Sequence, residues 1–178
     1  LTVGATVRDM AAAYATFAND GVWREARTYT KVYDSEGNLV LDNTQESEKV
    51  LSEKSINYLN YCLQNAVSNG TGGEARISGQ NIAGKTGTTS SNRDRWFCGY
   101  TKYYAAAVWC GYHHPEVIRI TSGENNPAAV LFRKVLQPLH SGLEKKALYS
   151  SSGFRGYSVC LDTGAIATSA CERDLRYY

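Results

Sequence analysis

Much is missing from this 178-residue sequence. It has three prolines, one methionine and no apolar run near the roughly 20 residues that a helix needs to cross a bilayer. No secretory leader is visible. Charge of one sign is also lacking: 19 basic and 17 acidic residues leave a net charge of +2, too mild to argue for a nucleic-acid partner. Lys and Arg are scattered apart from Arg93-Asp94-Arg95, where an acid separates the bases, the pattern of a solvated surface. The five cysteines form no CxxC pair and no Cys/His cluster, which argues against a zinc site, and nothing else points to a metal or cofactor. His113-His114 does not repair that, because adjacent residues on a strand face opposite ways, and the pair reads as a surface turn before Pro115. There are no internal repeats.

What is present has the composition of a globular domain, 43% hydrophobic and 20% charged. The chain opens at Leu1 in a helix-like segment rather than at Met, so it reads as a fragment whose targeting or membrane segment, if any, lies upstream. Thr6 to Asp9 has capping-box spacing, and Val7, Met10, Tyr14, Phe17 and Ala18 follow at helical period until Asn19-Asp20-Gly21. Tyr29 to Tyr33 and Leu39 to Leu41 flank a turn at residues 34–38 and predict a hairpin. Ser52 opens a second helix with Ile56, Leu59, Leu63, Ala66 and Val67 on one face, stopped by the glycine-rich Asn69 to Gly73. Three strands are expected at Ile82 to Thr89, Trp96 to Thr101 and Tyr104 to Tyr112. A third helix follows from Pro127 to about His140, with Val130, Leu131, Val135, Leu136 and Leu139 inward. Strands adjacent in sequence predict an α+β fold, an antiparallel sheet with packed helices. Residues 1–140 form the domain portion, and the Ser- and Gly-rich 141–178 reads as a tail or the start of an appended segment. Cys62 is expected to be a buried helix thiol and Cys98 and Cys110 sheet thiols; Cys160 and Cys171 flank a short glycine-containing loop and are either bridged or free.

The informative string is Gly79 to Thr89. Gly79, Gly84, Lys85 and Thr86 satisfy the phosphate-binding GxxxxGK[ST] pattern. That loop needs a buried strand before it and a helix beginning at the lysine. Glycines and polar residues precede it here, and Gly87, threonines and Ser90-Ser91-Asn92 follow it, so the nucleotide reading fails on context. The second reading takes Lys85-Thr86-Gly87 as the K-T-G element of serine acyl-transfer enzymes. On an exposed edge strand Thr86 and Thr88 point to one face, where both hydroxyls can bind a carboxylate, Lys85 adds positive potential, and Gly87 leaves room for close packing.

The surroundings resemble the class A penicillin-binding proteins. The resemblance rests on Thr2-Val3-Gly4 with Met10 to Asn19, on Asn69-Gly70-Thr71-Gly72 with Ala75-Arg76, on Ala83 to Thr89 with Asn92 to Thr101, and on Ala107 to Tyr112, in that order over residues 1–140. It implies a D,D-transpeptidase that acylates a serine with a peptidoglycan stem peptide and passes the acyl group to an amine. β-Lactams would acylate the same serine. Lys85, Thr86, Gly87 and Thr88 would be the catalytic strand. Thr86, Thr88, Thr89 and Trp96 would meet substrate, and the Thr88 N–H would be one donor of an oxyanion hole. Trp96 stands near its strand end, at the cleft border; Trp23 and Trp109 read as core or sheet residues. The resemblance also implies the upstream N-terminal part of the same protein as a partner, membrane attachment through that part, and a place on the extracytoplasmic face. The family's S-x-x-K occurs nowhere in this chain, and S-x-N occurs only as Ser55-Ile56-Asn57 and Ser90-Ser91-Asn92, both out of order. The nucleophile is therefore expected upstream, and this chain alone is expected to be inactive. A related D,D-carboxypeptidase or β-lactamase, and a non-catalytic module that binds cell-wall peptide, are the alternatives.

Overall fold

Side-chain caps set where the helices begin. In the computed structural model, which describes residues 4–120, 123–169, 171 and 176–177, Thr6 Oγ1 accepts the Asp9 N–H at 3.1 Å and starts α1, Val7–Ala18. Ser52 does the same for α2, Glu53–Ser68, through the Ser55 N–H. Asn126 caps α3, Pro127–Leu139, by accepting from Ala128 and Ala129. Two small antiparallel pairs lie between α1 and α2. Strand β1 (Val22–Arg24) pairs with β4 (Ser47–Lys49), and β2 (Lys31–Tyr33) pairs with β3 (Leu39–Asp42). The last pair is exposed throughout.

The main sheet is β5 (Ala83–Thr88), β6 (Asp94–Tyr100) and β7 (Ala105–Gly111), antiparallel in the order β5-β6-β7. Residues directly opposite share a face, so Phe97 and Val108 face one way and Tyr100 and Ala105 the other. α3 covers the first face: Phe132 packs edge-on against Phe97 with ring centroids 4.8 Å apart, among Val67, Ile77, Ile82 and Leu136. Burying each phenylalanine contributes about 1.5–3 kcal/mol. α1 covers the second face, where Tyr14 and Phe17 meet Tyr100. α2 packs against β5, with Val67 in one core and Leu63 beside the other. The α+β architecture is as the sequence predicts.

Two expectations differ in detail. α3 buries Ala128, Ala129, Val130, Phe132 and Leu136, while Leu131, Val135 and Leu139 are exposed. The two alanines let the helix approach the sheet closely and turn the larger residues outward. Cys62 is exposed, because α2 turns Ile56, Asn60 and Val67 inward instead. Of the two alternatives left open for Cys160 and Cys171, the structure has the free thiols. Hydrogen bonds led by the Thr163 hydroxyl, with the Cys171 thiol among them, draw the Cys160 thiol down to about 7.

The chain after Gly142, expected as a tail or the start of an appended segment, is partly strapped to the domain. Leu148 is buried with Ala83 and Tyr100. The buried Asn60 donates to Leu148 O at 2.8 Å and accepts from the Tyr100 hydroxyl. Asn57 and Ser150 exchange hydrogen bonds of 2.7 and 2.8 Å, and Gln80 and Asn81 donate to Leu143 O and Lys146 O.

Candidate functional site

The K-T-G string lies wholly within β5, at the open edge of the sheet. No helix follows Lys85, so the phosphate-loop geometry is absent. Gly84, which completes that pattern, has a packing reason: a Cβ there would stand 2.7 Å from Phe97 Cζ and 2.8 Å from Cys98 O. Gly87 is opposite Trp96, whose Cβ would lie 3.1 Å from an added one. The sheet thus leaves no room for a side chain at 84, and one at 87 would have to push Trp96 aside by a few tenths of an ångström.

The direction of the edge follows from one hydrogen bond. Thr89 N–H donates inward to Asp94 O at 3.3 Å. Amide direction alternates along a strand, so the Thr86 and Thr88 N–H groups point out from the free edge. Their side chains share the α3 face, opposite Phe97 and Arg95, while Lys85 and Gly87 lie on the α1 face, opposite Cys98 and Trp96. The edge lets the two faces meet: Lys85 Nζ curls back to Thr86 O at 3.1 Å and to Thr86 Oγ1 at 3.5 Å. The result is a row of outward N–H donors flanked by two hydroxyls and an ammonium, a donor set suited to a carboxylate or an oxyanion.

Neighbours occupy part of each hydroxyl. Thr86 Oγ1 is 2.9 Å from Thr71 Oγ1. Thr88 Oγ1 accepts from Arg95 Nη1 at 2.9 Å, and Arg95 Nη2 donates to Asn92 Oδ1 at 3.1 Å. The motif reading passed over Thr71 and Arg95; the first lies in a distant loop, and only the strand register brings the second beside Thr88. Thr89 belongs to the turn. Its Oγ1 accepts the Arg93 and Asp94 N–H groups, both at 3.1 Å, so its hydroxyl closes the β5–β6 connection. Asn92 takes a positive φ of 54° in that turn.

On the α1 face a groove of about 970 Å³ runs along the strand, lined by Lys85, Gly87, Trp96 and Trp109 from the sheet and by Met10 and Tyr14 from α1. Trp109 Nε1 donates to Asp94 Oδ1 at 2.9 Å. Burial pushes Cys98 up to about 11, and burial followed by the nearby Cys98 pushes Tyr14 up to about 12. Both stay protonated at neutral pH. Of the two S-x-N strings, Ser55 and Asn57 are on α2, with Asn57 committed to Ser150, and Ser90 to Asn92 lie in the turn after β5.

Comparison with known proteins shows the family and the fold. The penicillin binding protein transpeptidase domain family matches residues 2–137. Penicillin-binding protein 1A of Clostridium perfringens is 36% identical over 174 residues, covering 97% of this chain and 21% of that protein. Penicillin-binding protein 1A/1B of Bacillus subtilis is 31% identical over 155 residues, covering 78% of this chain and 17% of that protein. Among solved structures, the D,D-transpeptidase domain of a peptidoglycan glycosyltransferase from Eggerthella lenta superposes with a TM-score of 0.63 at 26% identity, over 77% of this chain and 32% of that one. Penicillin-binding protein 1A from Haemophilus influenzae gives 0.71 at 18% identity, over 98% of this chain and 32% of that one. The chain spans about a fifth of the length of its curated relatives. With its K-T-G string on an open sheet edge and the family's match running from residue 2 to residue 137, the chain belongs to the penicillin-binding protein transpeptidase domain family.

Proposed function

We propose that the whole protein is a serine-type D,D-transpeptidase that cross-links peptidoglycan stem peptides and is acylated by β-lactams, and that this chain supplies the strand that receives the substrate. The observation that carries the reading is the β5 edge, where the outward Thr86 and Thr88 N–H groups lie beside the hydroxyls of the same two residues and the Lys85 ammonium reaches Thr86 Oγ1 at 3.5 Å.

The upstream part of the protein brings the serine and its lysine to that edge. The serine Oγ bonds to the carbonyl carbon of the penultimate D-Ala, and the peptide C–N bond breaks. The terminal D-Ala takes the proton and leaves. An amine of a second stem peptide then attacks the ester, forms a new amide and returns the proton to the serine. During both attacks negative charge develops on the carbonyl oxygen, and the Thr88 N–H is one of the two donors that stabilise it; losing such a donor typically costs about 2.7–4 kcal/mol. Thr86 and Thr88 hydroxyls hold the terminal carboxylate, Lys85 supplies positive potential, and Trp96 borders the cleft. Thr89 acts through the turn that fixes the strand end. The mechanism needs no cofactor. Membrane attachment lies in the upstream part, and the active site faces the extracytoplasmic side, where its substrate is.

The test is release of D-Ala from a pentapeptide donor by the full-length protein, with and without an amine acceptor. A transpeptidase forms amide product in step with D-Ala release. Release with hydrolysis alone identifies a D,D-carboxypeptidase, and no release with intact stem-peptide binding identifies a non-catalytic module.

A further inference from the structure

The loop between α2 and β5 is anchored on both sides of residue 71, and this gives Thr71 a task. At the end of α2 the chain folds back hard on the last turn. Gly72 N–H donates to Ala66 O at 2.9 Å, and a Cβ on Gly70 would stand 2.8 Å from that same oxygen. Arg76 reaches back to cap the helix, donating from Nε to Val67 O at 3.1 Å and from Nη2 to Ser68 O at 2.6 Å. Glu74, three residues past Thr71, accepts the Asn125 and Asn126 N–H groups at 2.7 and 2.8 Å, and Asn126 in turn donates to Trp96 O. Ala75 is fully buried between these anchors. The loop is therefore tied to α2, to the start of α3 and to β6, and it delivers the Thr71 hydroxyl 2.9 Å from that of Thr86.

We infer that Thr71 is a positioning residue for the transpeptidase reaction: it fixes the Thr86 hydroxyl so that the Thr86 proton points to the substrate carboxylate. A hydroxyl donates once and accepts twice. Lys85 can only donate, so its contact with Thr86 Oγ1 occupies one lone pair. Either hydroxyl can donate across the 2.9 Å contact; once a carboxylate accepts the Thr86 O–H, Thr71 donates into the remaining lone pair and holds the Thr86 proton in that direction. Without Thr71 the Thr86 rotor is free, and the binding carboxylate must order it. Thr71 acts through Thr86 and touches no reacting atom. The inference rests on the transpeptidase reading above.

The test measures the second-order rate of acylation by benzylpenicillin in the full-length protein. Losing one orienting hydrogen bond of this kind lowers the rate about tenfold, so Thr71→Ala and Thr71→Val are expected to be slowed by that much, while Thr71→Ser, which restores the hydroxyl, stays within about twofold of wild type. Melting temperatures of the three variants are expected to match wild type. The decisive comparison is made in a Thr86→Ala background, where adding Thr71→Ala is expected to slow acylation no further. A wild-type rate for Thr71→Ala overturns the role, as does a loss of equal size with and without Thr86, which marks a purely structural effect. A full-length wild type that is not acylated at all overturns the transpeptidase reading first and this role with it.

Discussion

Residues 83–88 and residues 143–150 both pack beside α2, yet they are held by different forces. The first segment is a strand with a full hydrogen-bond ladder to β6 and a glycine fitted against Phe97. The second has no regular structure and is held by side-chain amides: Asn57, Asn60, Gln80 and Asn81 each donate to one of its carbonyls. Strand β5 is thus fixed along its inner edge and left open along its outer one, which fits the substrate-receiving role proposed for it. The amide-held segment has no open edge and serves to close the core over Tyr100 and Ala83.

The sharpest break in that comparison is Gly84→Val. The added side chain collides with Phe97 and the Cys98 carbonyl. Overpacking of this kind is expected to cost about 3 kcal/mol and to lower the temperature at which the transpeptidase unit of the full-length protein unfolds. A wild-type melting curve would show that the glycine is not needed for packing.

Next comes Asn60→Ala, which strikes the other segment. It leaves the Leu148 carbonyl and the Tyr100 hydroxyl without partners in a buried setting. A loss of about 2–3 kcal/mol in urea unfolding is expected. If residues 143–150 contribute nothing to the domain, the variant will instead unfold at the wild-type midpoint.

The smallest effect is a pH dependence. Burial, with Cys98 nearby, raises Tyr14 from its ordinary 10.0 to about 12 in the folded state. The unfolded chain therefore releases this proton first as pH rises, so the stability that the neutral phenol contributes is complete below pH 10 and is lost between about 10 and 12. Tyr14→Phe is expected to flatten that part of the stability profile. An unchanged slope would place Tyr14 in solvent.

These two segments also mark what the sequence discloses. The strand, its neighbours and three helices were legible because apolar residues recur at periods of two and 3.6 and because Thr6, Ser52 and the glycines punctuate them. The K-T-G edge was legible for the same reason: Thr86 and Thr88, two apart, must share a face. Residues 143–150 were not legible, since an asparagine that donates to a carbonyl 88 positions away leaves no periodic trace. Thr71 and Arg95 stood in strings the sequence reading quoted, but their roles were not legible, because they arise from a loop closure and from strand register. The outward Leu131, Val135 and Leu139 show the converse limit. A helix with apolar residues on two sides does not announce which side the sheet will take, and here two alanines decided it.

The central claim is that this chain provides the receiving edge and that the nucleophile comes from elsewhere in the protein. The most direct measurement is intact mass after exposure to benzylpenicillin, taken on the full-length protein and on the 178-residue chain alone. The account predicts one stable adduct on the full-length protein and none on the isolated chain. An adduct on the isolated chain, or none on a folded full-length protein, would contradict it.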